Sequence, residues 1–133
     1  MEKLKIYLDT NIIIDFFINE AKTMRKGHET KIPKKFQFMT EKSVHIDFVT
    51  SFITKAEIAR ELSASYQLTS EEVHRLWNTF IESIDCKYID EFTFDEKIVE
   101  IPLKMKIKLR TLFNFMHLFI AMKENAYFPL CFG

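Results

Sequence analysis

Two hydrophobic spacings alternate along this chain. Ile6-Tyr7-Leu8 is a short apolar run of the kind that forms a buried strand, and directly behind it Ile13, Phe16 and Phe17 recur at helical spacing. The change of period then repeats. Phe36 to Lys42 reads as a short helix, and Ile46 to Thr50 alternates as a strand does. Thr54-Lys55-Ala56-Glu57 opens a helix that runs through Ala64. Thr69-Ser70-Glu71-Glu72 opens the next, with Val73, Leu76, Trp77, Phe80, Ile81 and Ile84 on one face. Lys87-Tyr88-Ile89 is a further strand. Phe94 to Leu109 is helical in pattern, kinked or split before Pro102. Leu112 to Lys123 is apolar nearly all round, as in a buried helix. Tyr127 to Phe132 reads as a last, buried strand.

Strands that alternate with helices predict an α/β fold: a short, mainly parallel sheet of about four or five strands with helices on both faces. The 133 residues suit a single domain, 1–133, built on one core. Fourteen phenylalanines make that core rich in rings.

Charge narrows the function classes. Nineteen basic and nineteen acidic side chains cancel, so a globally basic nucleic-acid binder is excluded, and any polyanion must be held by a local patch or by metal ions. With two glycines in all, no phosphate-cradling Gly-rich loop is present. Two cysteines, Cys86 and Cys131, are too few for a disulfide framework, which points to a reducing cytoplasm. No apolar run approaches the roughly 18 residues that span a bilayer, and Asp9 and Asp15 interrupt any leader-like stretch, so no membrane role is expected. Between Glu20 and Lys35 bases accumulate, as in a solvated connection or a basic flap that contacts phosphates.

The polar groups on otherwise apolar elements carry the candidate chemistry, because burying them is costly. Asp9 stands at the carboxyl end of the first strand, where open α/β sheets bind ligands. Glu57 lies near the start of a helix, and Asn114 and His117 share a face of the last one. Oxygen ligands gathered at strand ends and helix starts suit a hard cation such as Mg2+ or Mn2+. Each has a plainer reading. Asp9 can serve only as a helix N-cap. Thr54-x-x-Glu57 fits a capping box that needs no metal, as Thr69-x-x-Glu72 also does. His117 fits a packing or hydrogen-bonding role.

Three blocks, Ile6-Tyr7-Leu8-Asp9-Thr10-Asn11-Ile12-Ile13-Ile14-Asp15, Thr54-Lys55-Ala56-Glu57-Ile58 and Leu109-Arg110-Thr111 followed by Asn114-Phe115-Met116-His117-Leu118-Phe119-Ile120-Ala121, together resemble a PIN domain over essentially the whole chain. The resemblance implies a three-layer α/β/α PIN-like fold and a Mg2+- or Mn2+-dependent endoribonuclease of the VapC toxin type. It implies RNA as substrate, an antitoxin protein as partner, and a homodimer, for which the helix face of Phe36, Phe38 and Met39 is the candidate contact. Asp9 and Glu57 match the first two metal-binding acids. Asn114 occupies the third acid's place, and Leu130-Cys131-Phe132-Gly133, where the fourth would come, holds none. Asp9, Glu57 and Asn114 are thus the expected catalytic and metal-holding residues, supported by Thr10, Asn11, Asp15 and His117, with Asp15 orienting the site or facing solvent. Arg25, Lys26, Lys34 and Lys35 are candidate RNA contacts. Two missing charges weaken a cation site, so the alternative is a PIN-like module of reduced or no activity that binds RNA or a protein partner.

Overall fold

A computed structural model describes residues 3–27, 31–94, 96, 100 and 108–129. In chain order they form β1 (Leu4–Tyr7), α1 (Thr10–Lys26), α2 (Lys34–Lys42), β2 (Ile46–Ser51), α3 (Phe52–Tyr66), α4 (Ser70–Ser83), β3 (Lys87–Ile89) and α5 (Leu109–Lys123). The strands pair in parallel, in the order β1-β2-β3, with Ile6 opposite Phe48, Tyr7 opposite Val49 and Val49 opposite Lys87. On the far side of β1, Tyr127 makes a single parallel bridge to Ile6, its N–H donating to Lys5 O and its carbonyl accepting from Tyr7 N, each at 2.8 Å.

Alternation along the strands divides the core into two layers. Ile6, Leu8, Ile46, Phe48 and Tyr88 face one side, where α1 to α4 pack. Tyr7, Val49 and Ile89 face the other, against α5 and Phe92, Phe94 and Phe128. The result is a three-layer α/β/α arrangement. The first layer is built on rings: Phe17 is fully buried, with ring centroids 5.2 Å from Phe16, 5.2 Å from Phe80 and 5.8 Å from Trp77.

The helix ends follow local chemistry. At the start of α1, the Asp9 carboxylate accepts from the Ile12 N–H at 3.3 Å. Its end is set by Gly27, whose φ of 67° lets its N–H turn back to Thr23 O. A capping box between Thr69 and Glu72 opens α4. Arg25 then joins three elements. Its guanidinium takes the carbonyls of Tyr66 and Gln67, left over at the end of α3, and grips both oxygens of Glu72 at 2.7 and 3.1 Å. That grip, with the Thr69 amide, holds the Glu72 carboxyl at about 2.

Four expectations need correction. The helix expected from Thr54 begins at Phe52 and is capped by Ser51, whose hydroxyl accepts from Ile53 N, because β2 runs into α3 with no intervening loop. The all-round apolar helix is buried along one stripe only; Leu118 is 38% and Met122 64% exposed. The last strand is reduced, within the described residues, to the bridge at Tyr127, itself 63% exposed. The face proposed for dimer contact is largely core: Phe36 stacks on Phe16 at 4.3 Å and Met39 is buried, leaving Phe38 outside. Most of the helical stretch expected between Phe94 and Leu109, and Cys131, lie outside the described residues. Among the described residues, no helix is long and apolar enough to cross a membrane.

Phe17→Ala should lower stability by about 3–5 kcal/mol, the range for emptying a buried ring site. A urea titration of the purified variant against wild type measures it.

Candidate functional site

The site begins where the ladder between β1 and β2 ends. The Leu8 N–H still donates to Val49 O at 2.7 Å, but its carbonyl has left the sheet. Two hydroxyls meet that carbonyl instead, Thr50 Oγ1 at 2.7 Å and Thr54 Oγ1 at 3.2 Å. Thr54 is therefore spent on Leu8 rather than on a capping box, and Glu57 is free to turn elsewhere. The three residues after Leu8 emerge beside α3.

Glu57 Oε1 accepts from Thr10 Oγ1 at 2.9 Å and lies 2.6 Å from His117 Nε2. The His117 ring is buried, with Nδ1 2.7 Å from the Tyr7 hydroxyl, and that hydroxyl is 2.7 Å from Ser51 Oγ. Burial pushes the Tyr7 hydroxyl up to about 12, against the Ser51 and Thr54 side chains. Among the described residues, nothing hydrogen-bonds Glu57 Oε2.

Asp9, Glu57 and His117 line a cleft of about 800 Å3 walled by α1, α3 and α5. Ile14, Ile18 and Ile53 give it an apolar side, and Arg60, Arg110, Phe113 and Asn114 lie along it nearer solvent. Asp9 is 8% exposed. Its carboxyl is raised above its ordinary value, first by burial and further by the charge of Glu57, while His117 and the Ile12 and Asn11 amides pull the other way. Negative charge at this point is only partly compensated.

Of the expected site residues, Asp9, Thr10, Asn11, Glu57, Asn114 and His117 share the cleft. Asn114 and Asn11 are exposed. Asp15 is not part of it; it faces solvent and pairs with Lys35 at 3.3 Å. Nor does the basic run line the cleft. Arg25 is committed to Glu72 and the α3 carbonyls, Lys35 to Asp15, and Lys26 and Lys34 lie exposed at helix ends away from the cleft. The cations that do line it are Arg60 and Arg110, neither held by a hydrogen bond or ion pair among the described residues. Helical spacing carries that signal: Arg60 is three residues past Glu57, and Arg110 four before Asn114, each on the shared face.

The donor set consists of two carboxylates with an amide nearby. Among the described residues no three His, Cys, Asp or Glu side chains gather as a metal-ligand cluster. Two carboxylates with an unbonded oxygen and only partly compensated charge nonetheless suit a hard divalent cation completed by water.

The raised Asp9 carboxyl fixes the sign of a pH effect. A raised folded value favours the fold while the group is protonated in both states, and that contribution is lost as pH rises through the raised value. Asp9→Asn keeps the helix cap and removes the charge. Metal-free Asp9→Asn should therefore melt higher than wild type at neutral pH, with the gap closing as pH falls below the ordinary carboxylate range; thermal scans across pH test this.

Compared with known proteins, the chain matches no protein-family model, no curated protein and no solved structure.

Proposed function

We propose that the chain is a metal-dependent endoribonuclease of the PIN, VapC-toxin type, hydrolysing RNA phosphodiester bonds in the cytoplasm. The observation that supports this reading above the others is that Asp9 and Glu57, 48 residues apart in sequence, line one cleft, where burial and mutual repulsion leave Asp9 short of positive charge. Asp9 and Glu57 would hold Mg2+ or Mn2+, with the Asn114 carbonyl as a neutral third oxygen. Bound there, the ion would supply Lewis-acid stabilisation of phosphate oxygens and a more acidic water.

The chain's own residues do the remainder. Arg60 and Arg110 offer free guanidinium forks to the phosphate backbone. Phe113 and the isoleucine wall give an unpaired base an apolar and aromatic surface, which favours a single strand. Thr10 and His117 keep Glu57 from swinging away from Asp9. The toxin-type reading brings with it a homodimer and an antitoxin protein as partners.

One observation favours the second reading, a PIN-like module that binds RNA or a protein partner without cutting. Asn114 is exposed and uncharged where a third acid is expected, so a cation would meet two negative charges at most.

Cleavage of a labelled single-stranded RNA in Mn2+ separates the two. On the enzyme reading, Asp9→Asn and Glu57→Gln each lower the rate by about 100-fold or more, the scale of losing a group that stabilises transition-state charge. Asn114→Asp should tighten Mn2+ binding and raise the rate. It should also destabilise the metal-free protein, because clustered carboxylates repel, and added Mg2+ should reverse that loss. RNA binding without cleavage by wild type and Asn114→Asp alike selects the module.

For either reading, Arg60→Ala and Arg110→Ala should each weaken RNA binding and flatten its salt dependence by about 0.7 per lost phosphate contact. Lys26→Ala should leave both unchanged. Binding isotherms at several salt concentrations give the slopes.

A further inference from the structure

His117 is buried to 1% exposure, yet both ring nitrogens are engaged, and by groups from different elements. Nε2 faces Glu57 of α3, and Nδ1 faces Tyr7 of β1, which rests on Ser51 at the end of β2. Ser51 Oγ accepts from the Ile53 N–H at 3.3 Å. A carboxylate oxygen only accepts, so Nε2 is the nitrogen that gives Glu57 a proton, and where Nδ1 carries none the row runs one way. Ser51 donates to the Tyr7 oxygen, Tyr7 donates to Nδ1, and Nε2–H donates to Glu57 Oε1. Glu57 Oε1 thereby takes one donor from α1, Thr10, and one from α5, His117. Both of its bonds fall on the same oxygen, which leaves Oε2 as the oxygen open to a ligand.

We infer that His117, backed by the Tyr7–Ser51 pair, is a positioning residue that holds Glu57 in place as a one-oxygen ligand of the cleft. What Glu57 ligates rests on the metal reading above; the holding itself does not. With both nitrogens engaged by protein groups, the ring keeps none for a ligand. Its function is to stop a flexible carboxylate from rotating away from Asp9, a role in which the loss of an outer partner costs about 10- to 100-fold in metal affinity.

Two variants separate positioning from packing. A glutamine at 117 has an amide N–H2 to give Glu57 and a carbonyl to accept from Tyr7; a leucine fills space and offers neither. Mn2+ affinity, measured by calorimetry, should fall by about 10- to 100-fold in His117→Leu. It should recover much of that loss in His117→Gln, and drop by a smaller factor in Tyr7→Phe. Crystal structures of the metal-free proteins give a second readout: Glu57 should leave its place in His117→Leu and keep it in His117→Gln. A nitrogen-15 spectrum of the wild-type ring should show the proton on Nε2.

If wild type binds no Mn2+, the metal reading fails, and the inference then stands or falls on the Glu57 position and the ring proton. Glu57 unmoved in His117→Leu, or a ring protonated only on Nδ1, overturns it. Equal Mn2+ affinity in wild type and His117→Leu overturns it as well.

Discussion

The carbonyl of Leu8 is the point on which the arrangement turns. A strand that ends inside a protein leaves a backbone acceptor without a ladder partner, and burying it unmet costs about 1–3 kcal/mol. Thr50 and Thr54 both answer it. One hydroxyl comes from the end of β2 and the other from the first turn of α3, so a single oxygen ties two strands and a helix into one corner. Because β2 passes directly into α3, that corner also fixes the direction in which α3 departs. Glu57, three residues beyond Thr54 and so close to its face, is thereby brought to Thr10, two residues past Leu8. The acid pair is a by-product of satisfying a main-chain acceptor.

Topology explains why the corner opens into a cleft. The chain leaves β1 for β2 on one side, and Tyr127 later returns to the opposite side of β1. The first four helices lie on one face of the sheet and α5, which leads into Tyr127, on the other, and a crevice remains beyond the carboxyl end of β1, the usual ligand position in open α/β sheets. Asp9 stands at that crevice. It is at once the N-cap of α1 and a wall of the cleft.

Much of this was legible in the pattern of residues, and the failures have physical causes. Periodicity located β1, β2, β3, α1 and α4 because each shows a clear apolar face over its length. The start of α3 was misplaced because Thr54-x-x-Glu57 has the form of a capping box, whereas both side chains look outward to other elements: Thr54 to Leu8 and Glu57 to Thr10 and His117. Local spacing cannot reveal partners 46 and 60 residues away. Arg25 was misjudged for the same reason, since its partner Glu72 is 47 residues off and a charge run looks solvated until its partners are known. Tyr7 read as one more apolar strand residue; its hydroxyl became significant only when α5 placed a ring nitrogen against it.

The parallel sheet also governs the order in which this molecule can assemble. Each ladder joins strands separated by a long crossover, 42 residues between Leu4 and Ile46 and 38 between Val49 and Lys87, so no local hairpin can nucleate it. Loop closure must come before any strand pairing stabilises the chain, which places such sheets among the slower topologies. The helices, with their contacts of short range, can form earlier; the Leu8 corner cannot, and Glu57 meets His117 only when the C-terminal helix docks. The cleft therefore cannot be complete until α5 has docked, and a nascent chain presents Asp9 long before it presents the whole cleft.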